Sequence, residues 1–167
     1  MPTAKEYQQI IYNTAIKCGL NDLQAKIIAA QATHESGNFK SNVFKTDNNA
    51  FGMKMPTRRS KRFIARPSTI VMRSEGATPY AHYSSVENSI KDLILSWHAY
   101  NKTDWNKIKT VEDYANYLKS KSYYGDSVAN YLKNLLYYVS KLNWLKYTGN
   151  IAVIVLIISV IIFITVK

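Results

Sequence analysis

The chain has 167 residues, room for one ordinary domain and not for a second full one. Its 22 Lys and Arg outnumber 11 Asp and Glu, a formal charge of +11, so a polyanionic partner is expected; nucleic acid, anionic lipid headgroups and acidic cell-wall polymers all qualify. The single cysteine, Cys18, excludes an intrachain disulfide and thiolate metal sites and fits best as a small apolar residue.

The polar opening MPTAKEYQQ does not read as a signal peptide. Residues 3–17 set Tyr7, Ile10, Ile11, Thr14 and Ala15 at helical intervals, and Gly19 supplies a stop. Asn21 reads as the N-cap of a second helix, with Gln24 three residues on. Leu23, Ile27, Ala30 and His34 form one stripe of it, and Ala25, Ile28, Ala32 and Glu35 form another; Gly37 ends it in the place of a left-handed cap. Residues 38–54, rich in Asn and Ser, read as loop with one helical turn. Prolines 56, 67 and 79 exclude long helices thereafter, and residues 61–65, 69–73 and 79–83 are short β-prone segments of a small antiparallel lobe. Ser85 caps a helix to about residue 100 that carries Val86, Ile90, Leu93, Ile94 and Trp97, and Thr110 caps another ending near Ser120. A last soluble helix is predicted over 126–144, with Val128, Leu132, Leu135, Leu136, Val139 and Leu142, running on directly or through a kink into an apolar run.

That run, residues 151–166, holds no charge and is closed by Lys167. Lipid demands an all-apolar helix surface, whereas a buried helix of a soluble protein, the alternative, seldom lacks a polar face for so long. At ~1.5 Å per residue the run falls somewhat short of the ~30 Å hydrocarbon core, so it borrows Tyr147 and Thr148 or sits in a thin bilayer, with Trp144 and Tyr147 at the interface. The predicted fold class is therefore α+β, mainly α: a helical domain with a small antiparallel β-lobe over 1–148, and a C-terminal transmembrane helix over 149–167. Every acidic residue and every basic one but Lys167 precedes residue 150, which places the domain on the inner side of that membrane.

Among residues that carry chemistry, Glu35 stands out. It ends the second helix on an apolar stripe, where desolvation and the negative end of the helix dipole both favour its protonated form. Such a carboxyl can give a proton to a glycosidic oxygen; the plainer alternative is a helix-end glutamate turned to solvent. His34, His82 and His98 lack zinc spacing, and neither a Gly-rich phosphate loop nor a Ser-His-Asp signature is present, so no metal and no cofactor are expected. Arg58, Arg59, Lys61, Arg62, Arg66 and Arg73 cluster on the β-lobe, either to grip anionic wall groups or as a solvated face.

The segment AAQATHESGNFKSNVFKTDNNAFGMK resembles glycoside hydrolase family 73, the glucosaminidases of the lysozyme-like superfamily. Glu35, Ser36 and Gly37 stand where that family has its general acid and the following Ser-Gly. Asn49 to Lys54 is similar to its Asn-Leu-Phe-Gly-Ile-Lys signature, while the Gly-Leu-Met-Gln run of soluble lytic transglycosylases is absent. The likeness continues through Tyr80, Tyr83 and Ser84, and through Tyr123 and Asp126, which resemble the family's Tyr-Ala-Thr-Asp segment; it covers roughly residues 5–140.

The resemblance implies a lysozyme-like domain with Glu35 as acid and Tyr123 in the catalytic cleft, Tyr124 being its immediate rival for that place. Phe51, Gly52, Tyr83 and Tyr124 are the expected substrate-binding residues. Glycosidases ordinarily need a second carboxylate, at about 5 Å as nucleophile or about 6.5 to 9.5 Å as base. Glu75 is the first candidate and Asp47 the reserve, and the substrate's acetamido group is a route that needs neither.

The expected function is cleavage of β-1,4 bonds between N-acetylglucosamine and N-acetylmuramic acid by a membrane-anchored peptidoglycan hydrolase. The linkage, and the choice between hydrolase and transglycosylase, stay open. An inward-facing domain and an external substrate are reconciled if the chain rides in the internal membrane of a bacteriophage virion and acts during genome delivery. Its partners would then be peptidoglycan, the lipid membrane through 151–166 and other virion proteins, with no specific nucleic acid. The alternative is a non-catalytic, membrane-anchored virion structural protein, or a glycan- or DNA-binding one, with a decayed lysozyme fold.

Overall fold

The computed structural model describes residues 2–70 and 78–147. Helix α1, Ala4–Lys17, begins at a capping box in which Thr3 and Glu6 satisfy each other's backbone N–H groups. Helix α2, Asp22–Glu35, starts at the predicted Asn21 and Gln24 box. Tyr12 ties the two helices by donating to the Asp22 carboxylate at 2.6 Å. The two expected stripes of α2 merge: Ala25, Ile27, Ile28, Ala29, Ala30 and Ala32 are all fully buried, so α2 is the central helix, and its alanines let α1 and the last helix approach closely.

At its end Ser36 donates to the Ala32 carbonyl at 2.6 Å and accepts the Phe39 N–H at 2.9 Å. Gly37 adopts the left-handed conformation, as predicted, with φ +58°. Helix α3, Asn42–Asp47, is the expected helical turn, and it stops at Asn48, also left-handed. The buried Asn49 then ties down the next stretch. Its Nδ2 donates to the Met53 and Ala81 carbonyls, both at 2.9 Å, and its Oδ1 accepts the Met53 N–H at 3.0 Å.

The β-lobe is smaller than predicted and shifted. Strand β1, Arg66–Pro67, pairs antiparallel with β2, Ala81–His82, in the register Arg66 to His82 and Pro67 to Ala81. Residues 61–64 close into a turn instead of a strand, with Ile64 N–H bonded to the Lys61 carbonyl. Pro67 is tolerated because, among the described residues, β1 is an edge strand paired on one side only. The opposite side of β2 takes up residues 53–55, through Ala81 N–H to the Met53 carbonyl and Met55 N–H to the Pro79 carbonyl, each 2.9 Å. Most of the predicted 69–73 segment lies outside the described residues.

Helix α4, Val86–Asp92, is capped by Ser85 and passes into a π-helical turn over Leu93–His98 before ending near Tyr100. Helix α5, Val111–Ser120, has the predicted Thr110 cap, completed by Asp113. Helix α6, Val128–Ser140, buries Tyr131 and Leu135 against α2 and α5. It does not run on to residue 144. The chain turns after Ser140, which lets Leu142 and Leu145 both reach the core and brings the Lys146 carbonyl to the Gln9 amide at 2.9 Å. Among the described residues no helix is long and apolar enough to cross a membrane; the expected span, 151–166, lies outside them.

One buried group makes the fold acid-sensitive. His98 is enclosed, with Nε2 3.1 Å from the Tyr114 hydroxyl and Nδ1 2.8 Å from Thr103 Oγ1, and burial pushes its pKa down to about 3. The unfolded chain takes up this proton near the ordinary value of about 6.5. Stability is therefore fully present above about pH 6.5 and is lost as pH falls toward 3, at up to one proton's worth of slope. Urea midpoints taken between about pH 7 and about pH 4 are expected to fall less steeply in His98→Gln than in the wild type.

Candidate active site

A groove of about 710 Å³ runs between the 51–59 loop and Tyr80 on one side and Trp97, Tyr100, Asn101 and residues 121–123 on the other. Glu35 reaches it from the end of α2, and it is the sole carboxylate on the groove wall among the described residues. Tyr131, from α6, donates its hydroxyl to Glu35 Oε1 at 2.8 Å. Burial holds the Glu35 carboxyl above its ordinary value, and the Tyr131 hydrogen bond and the charge of His34 pull it partly back. A half-buried acid so placed keeps its proton beyond the normal carboxylate range, as a general acid requires.

The floor and walls suit sugar rings. Phe51, Tyr80, Trp97, Tyr100 and Tyr123 offer aromatic surface, on which the C–H faces of a pyranose can pack. Gly52 has φ +61°, and a side chain there would point toward the Tyr80 ring at 3.9 Å. Tyr123 stands edge-on to Trp97, with centroids 5.2 Å apart, and donates to the Phe51 carbonyl at 3.2 Å, which links the two walls. Burial, then the nearby Glu35, hold its hydroxyl protonated well above the usual phenol range. Lys54, Arg58, Arg59 and Lys121 also line the groove, so a single acid sits in a cationic channel.

Arg59 is fastened from below. Its Nη2 lies 2.6 Å from Asp92 Oδ2, and the Asp92 side chain, at the end of α4, is wholly buried. Tyr83 donates to the same oxygen at 2.7 Å. This pair pins the groove-forming loop to the helical body.

This geometry agrees with sequence kinship. Residues 12–145 match the family described as Glucosaminidase: Mannosyl-glycoprotein endo-beta-N-acetylglucosaminidase. The chain belongs to this glucosaminidase family. No curated protein matches it closely enough to be counted a relative. Two solved structures share its fold. One is the catalytic domain of the autolysin Auto from Listeria monocytogenes, 22% identical, covering 88% of this chain and 89% of that one with a TM-score of 0.55. The other is from a type VI secretion system effector-immunity complex of Pseudomonas protegens, 16% identical, covering 83% and 89% with a TM-score of 0.56. The fold is thus the mainly helical, lysozyme-like one with a small antiparallel sheet, and the chain is a glycosidase of the endo-β-N-acetylglucosaminidase type.

Of the residues expected in the glucosaminidase site, Glu35, Phe51, Gly52 and Tyr123 meet in the groove. Tyr83 does not. It is fully buried beneath the loop, where burial and then the Asp92 charge keep its hydroxyl protonated; its role is to support the Arg59 clamp. Tyr124 also leaves the groove: its ring stacks on Tyr131 at 3.9 Å and its hydroxyl donates to the Ala115 carbonyl at 2.9 Å, so of the neighbouring tyrosines Tyr123 faces the groove. Asp47, the reserve carboxylate, is buried and bonded to Ser68 and to His82 Nδ1, which closes the lobe and removes it from chemistry. Glu75 lies outside the described residues. Among the described residues no cluster of His, Cys, Asp and Glu is arranged to hold a metal ion. No sequence signal marks Trp97, Tyr100, Lys121 or Tyr131 as site residues; Trp97 follows the apolar spacing of its helix, and it stands in the π-helical turn and lines the groove.

Proposed function

We propose that this glycosidase cuts peptidoglycan at the β-1,4 bond that leaves N-acetylglucosamine as the new reducing end. The observation that carries the reading is Glu35, a carboxyl whose pKa burial raises, on the wall of an aromatic, cationic groove. Glu35 protonates the leaving oxygen as the glycosidic C–O bond breaks, Glu75 or the sugar's own acetamido group assists at the oxocarbenium-like centre from the other face, and water adds to the anomeric carbon to complete the hydrolysis. Tyr123, Phe51 and Gly52 shape the groove around the scissile bond. The cations favour a polymer that carries carboxylates on its peptide stems over a neutral glycan.

Purified peptidoglycan digested with the protein, reduced with borohydride and read by mass spectrometry is expected to yield fragments ending in N-acetylglucosaminitol. Fragments ending in N-acetylmuramitol, or in an anhydro sugar, would contradict the linkage or the hydrolytic outcome.

Residues 1–148 form the enzyme in this reading, and 151–166 tether it to a lipid membrane. The support is the uncharged, Ile- and Val-rich composition of the run, and the concentration of Lys and Arg before it sets the domain on the inner side. A lipid-containing bacteriophage virion is the setting that brings such a domain to an external wall. Proteomics of purified virions tests this, and absence of the chain there would remove it.

A further inference from the structure

We propose that Tyr131 is a positioning residue for the acid, fixing which oxygen of Glu35 carries the proton and stabilising the carboxylate that proton transfer creates. The inference rests on Glu35 being the general acid. Tyr131 is nearly fully buried on α6, and its phenol is held on two sides. The Tyr124 ring lies parallel to it at 3.9 Å and 9°, itself fixed through its hydroxyl to the Ala115 carbonyl. The His34 ring stands edge-on at 5.6 Å and 77°. The packed ring sets the position of the hydroxyl oxygen, and it donates to Glu35 Oε1 at 2.8 Å.

A neutral carboxylic acid has a carbonyl oxygen, the stronger acceptor, and a hydroxyl oxygen. A donor locked onto Oε1 selects that atom as the carbonyl and leaves Oε2 to carry the proton. When the proton moves to the glycosidic oxygen, the charge left on the carboxylate strengthens the same hydrogen bond, so the contact is worth more in the transition state than in the ground state. Burial alone would give a well-protonated but reluctant acid. Tyr131 offsets part of that reluctance, in keeping with its downward pull on the Glu35 carboxyl.

The other titratable groups around the carboxyl are His34 beside it on α2, Tyr114 from α5 and Tyr123 on the groove wall, with Lys54, Arg58, Arg59 and Lys121 along the same channel. All remain in place in Tyr131→Phe, which keeps the stacked ring and deletes only the donor.

The full chain in detergent is assayed on solubilised peptidoglycan across pH, as wild type, Tyr131→Phe and Tyr137→Phe, the last an exposed tyrosine of the same helix. For Tyr131→Phe the plateau of kcat/KM is expected to fall roughly ten- to a hundredfold, the range for losing a hydrogen bond to a charged group, and the alkaline limb to move to higher pH. Tyr137→Phe should superimpose on wild type. In parallel, the Glu35 carboxyl carbon is followed by NMR in both proteins, and it should titrate at higher pH in Tyr131→Phe. That second readout separates the two failures: a wild type inactive on peptidoglycan contradicts the proposed function, while the carboxyl titration still decides the role of Tyr131. A limb and a titration left where the wild type has them, or a shift that Tyr137→Phe reproduces, would overturn the inference.

Discussion

Glu35→Gln is expected to lose more than about a hundredfold in peptidoglycan cleavage while melting no lower than the wild type. The two halves share one cause. A carboxyl whose folded pKa is raised by burial contributes stability that is fully present below its unfolded value of 4.5 and is lost as pH rises through the folded one. As pH rises and the buried carboxyl loses its proton, the charge on Glu35 becomes a burden on the fold. Glutamine keeps the acceptor that Tyr131 uses and removes both the burden and the transferable proton. Thermal melts should show the variant at or above the wild type at neutral pH, with the difference closing as pH falls. A melting point well below wild type at neutral pH would mean that Glu35 is a structural residue.

The largest loss of stability is expected from Arg59→Ala. Asp92 sits in the core with its side chain fully enclosed, and its charge is met by Arg59 at 2.6 Å and by the Tyr83 hydroxyl at 2.7 Å. Removing the guanidinium strands a buried anion, which typically costs about 3 to 5 kcal/mol. For a domain of this size that lowers Tm by roughly 10 °C or more. Because Arg59 also donates to the Lys54 carbonyl on the groove loop, activity should fall at temperatures where the protein is still folded. Combining Arg59→Met with Asp92→Asn removes both charges, so the double variant should be more stable than Arg59→Ala, as chemical denaturation would measure. Equal stability of the two would show that the ion pair is not what holds the loop.

Much of this molecule is legible in its sequence. The Asn21 and Gln24 capping box, the left-handed Gly37 and the Ser85 and Thr110 caps are local devices, written in residues three or four apart, and each appears where its pattern places it. The place of Glu35 on the groove wall is legible only from two signals together, an acid on an apolar stripe at a helix end and the likeness of residues 35–37 and 49–54 to the family's motifs. The failures share a different cause. Residues 61–65 have β-prone composition, but strand pairing is decided by partners at residues 80–82, and the ladder settles at Arg66–Pro67 instead. Helix α6 stops at Ser140 because Leu142 and Leu145 gain more from the core than from another helical turn, a competition no window of sequence displays. Tyr83 and Tyr124 fall among the expected substrate residues because aromatic residues near a motif look alike in sequence; what separates them from Tyr123 is which hydrogen-bond acceptor each hydroxyl finds. Tyr131 lies 96 positions from the acid it touches, so only the packing of α6 on α2 brings it to notice.

The role of Glu35 as proton donor is tested most directly by varying the leaving group. Wild type and Glu35→Gln are compared on peptidoglycan glycan and on an N-acetylglucosamine oligomer ending in a dinitrophenyl group, which departs without protonation. The account predicts that the variant is crippled on the first and retains most of its rate of dinitrophenol release on the second. An equal loss on both substrates would contradict it, since a residue needed when no proton has to be given is doing something other than acid catalysis.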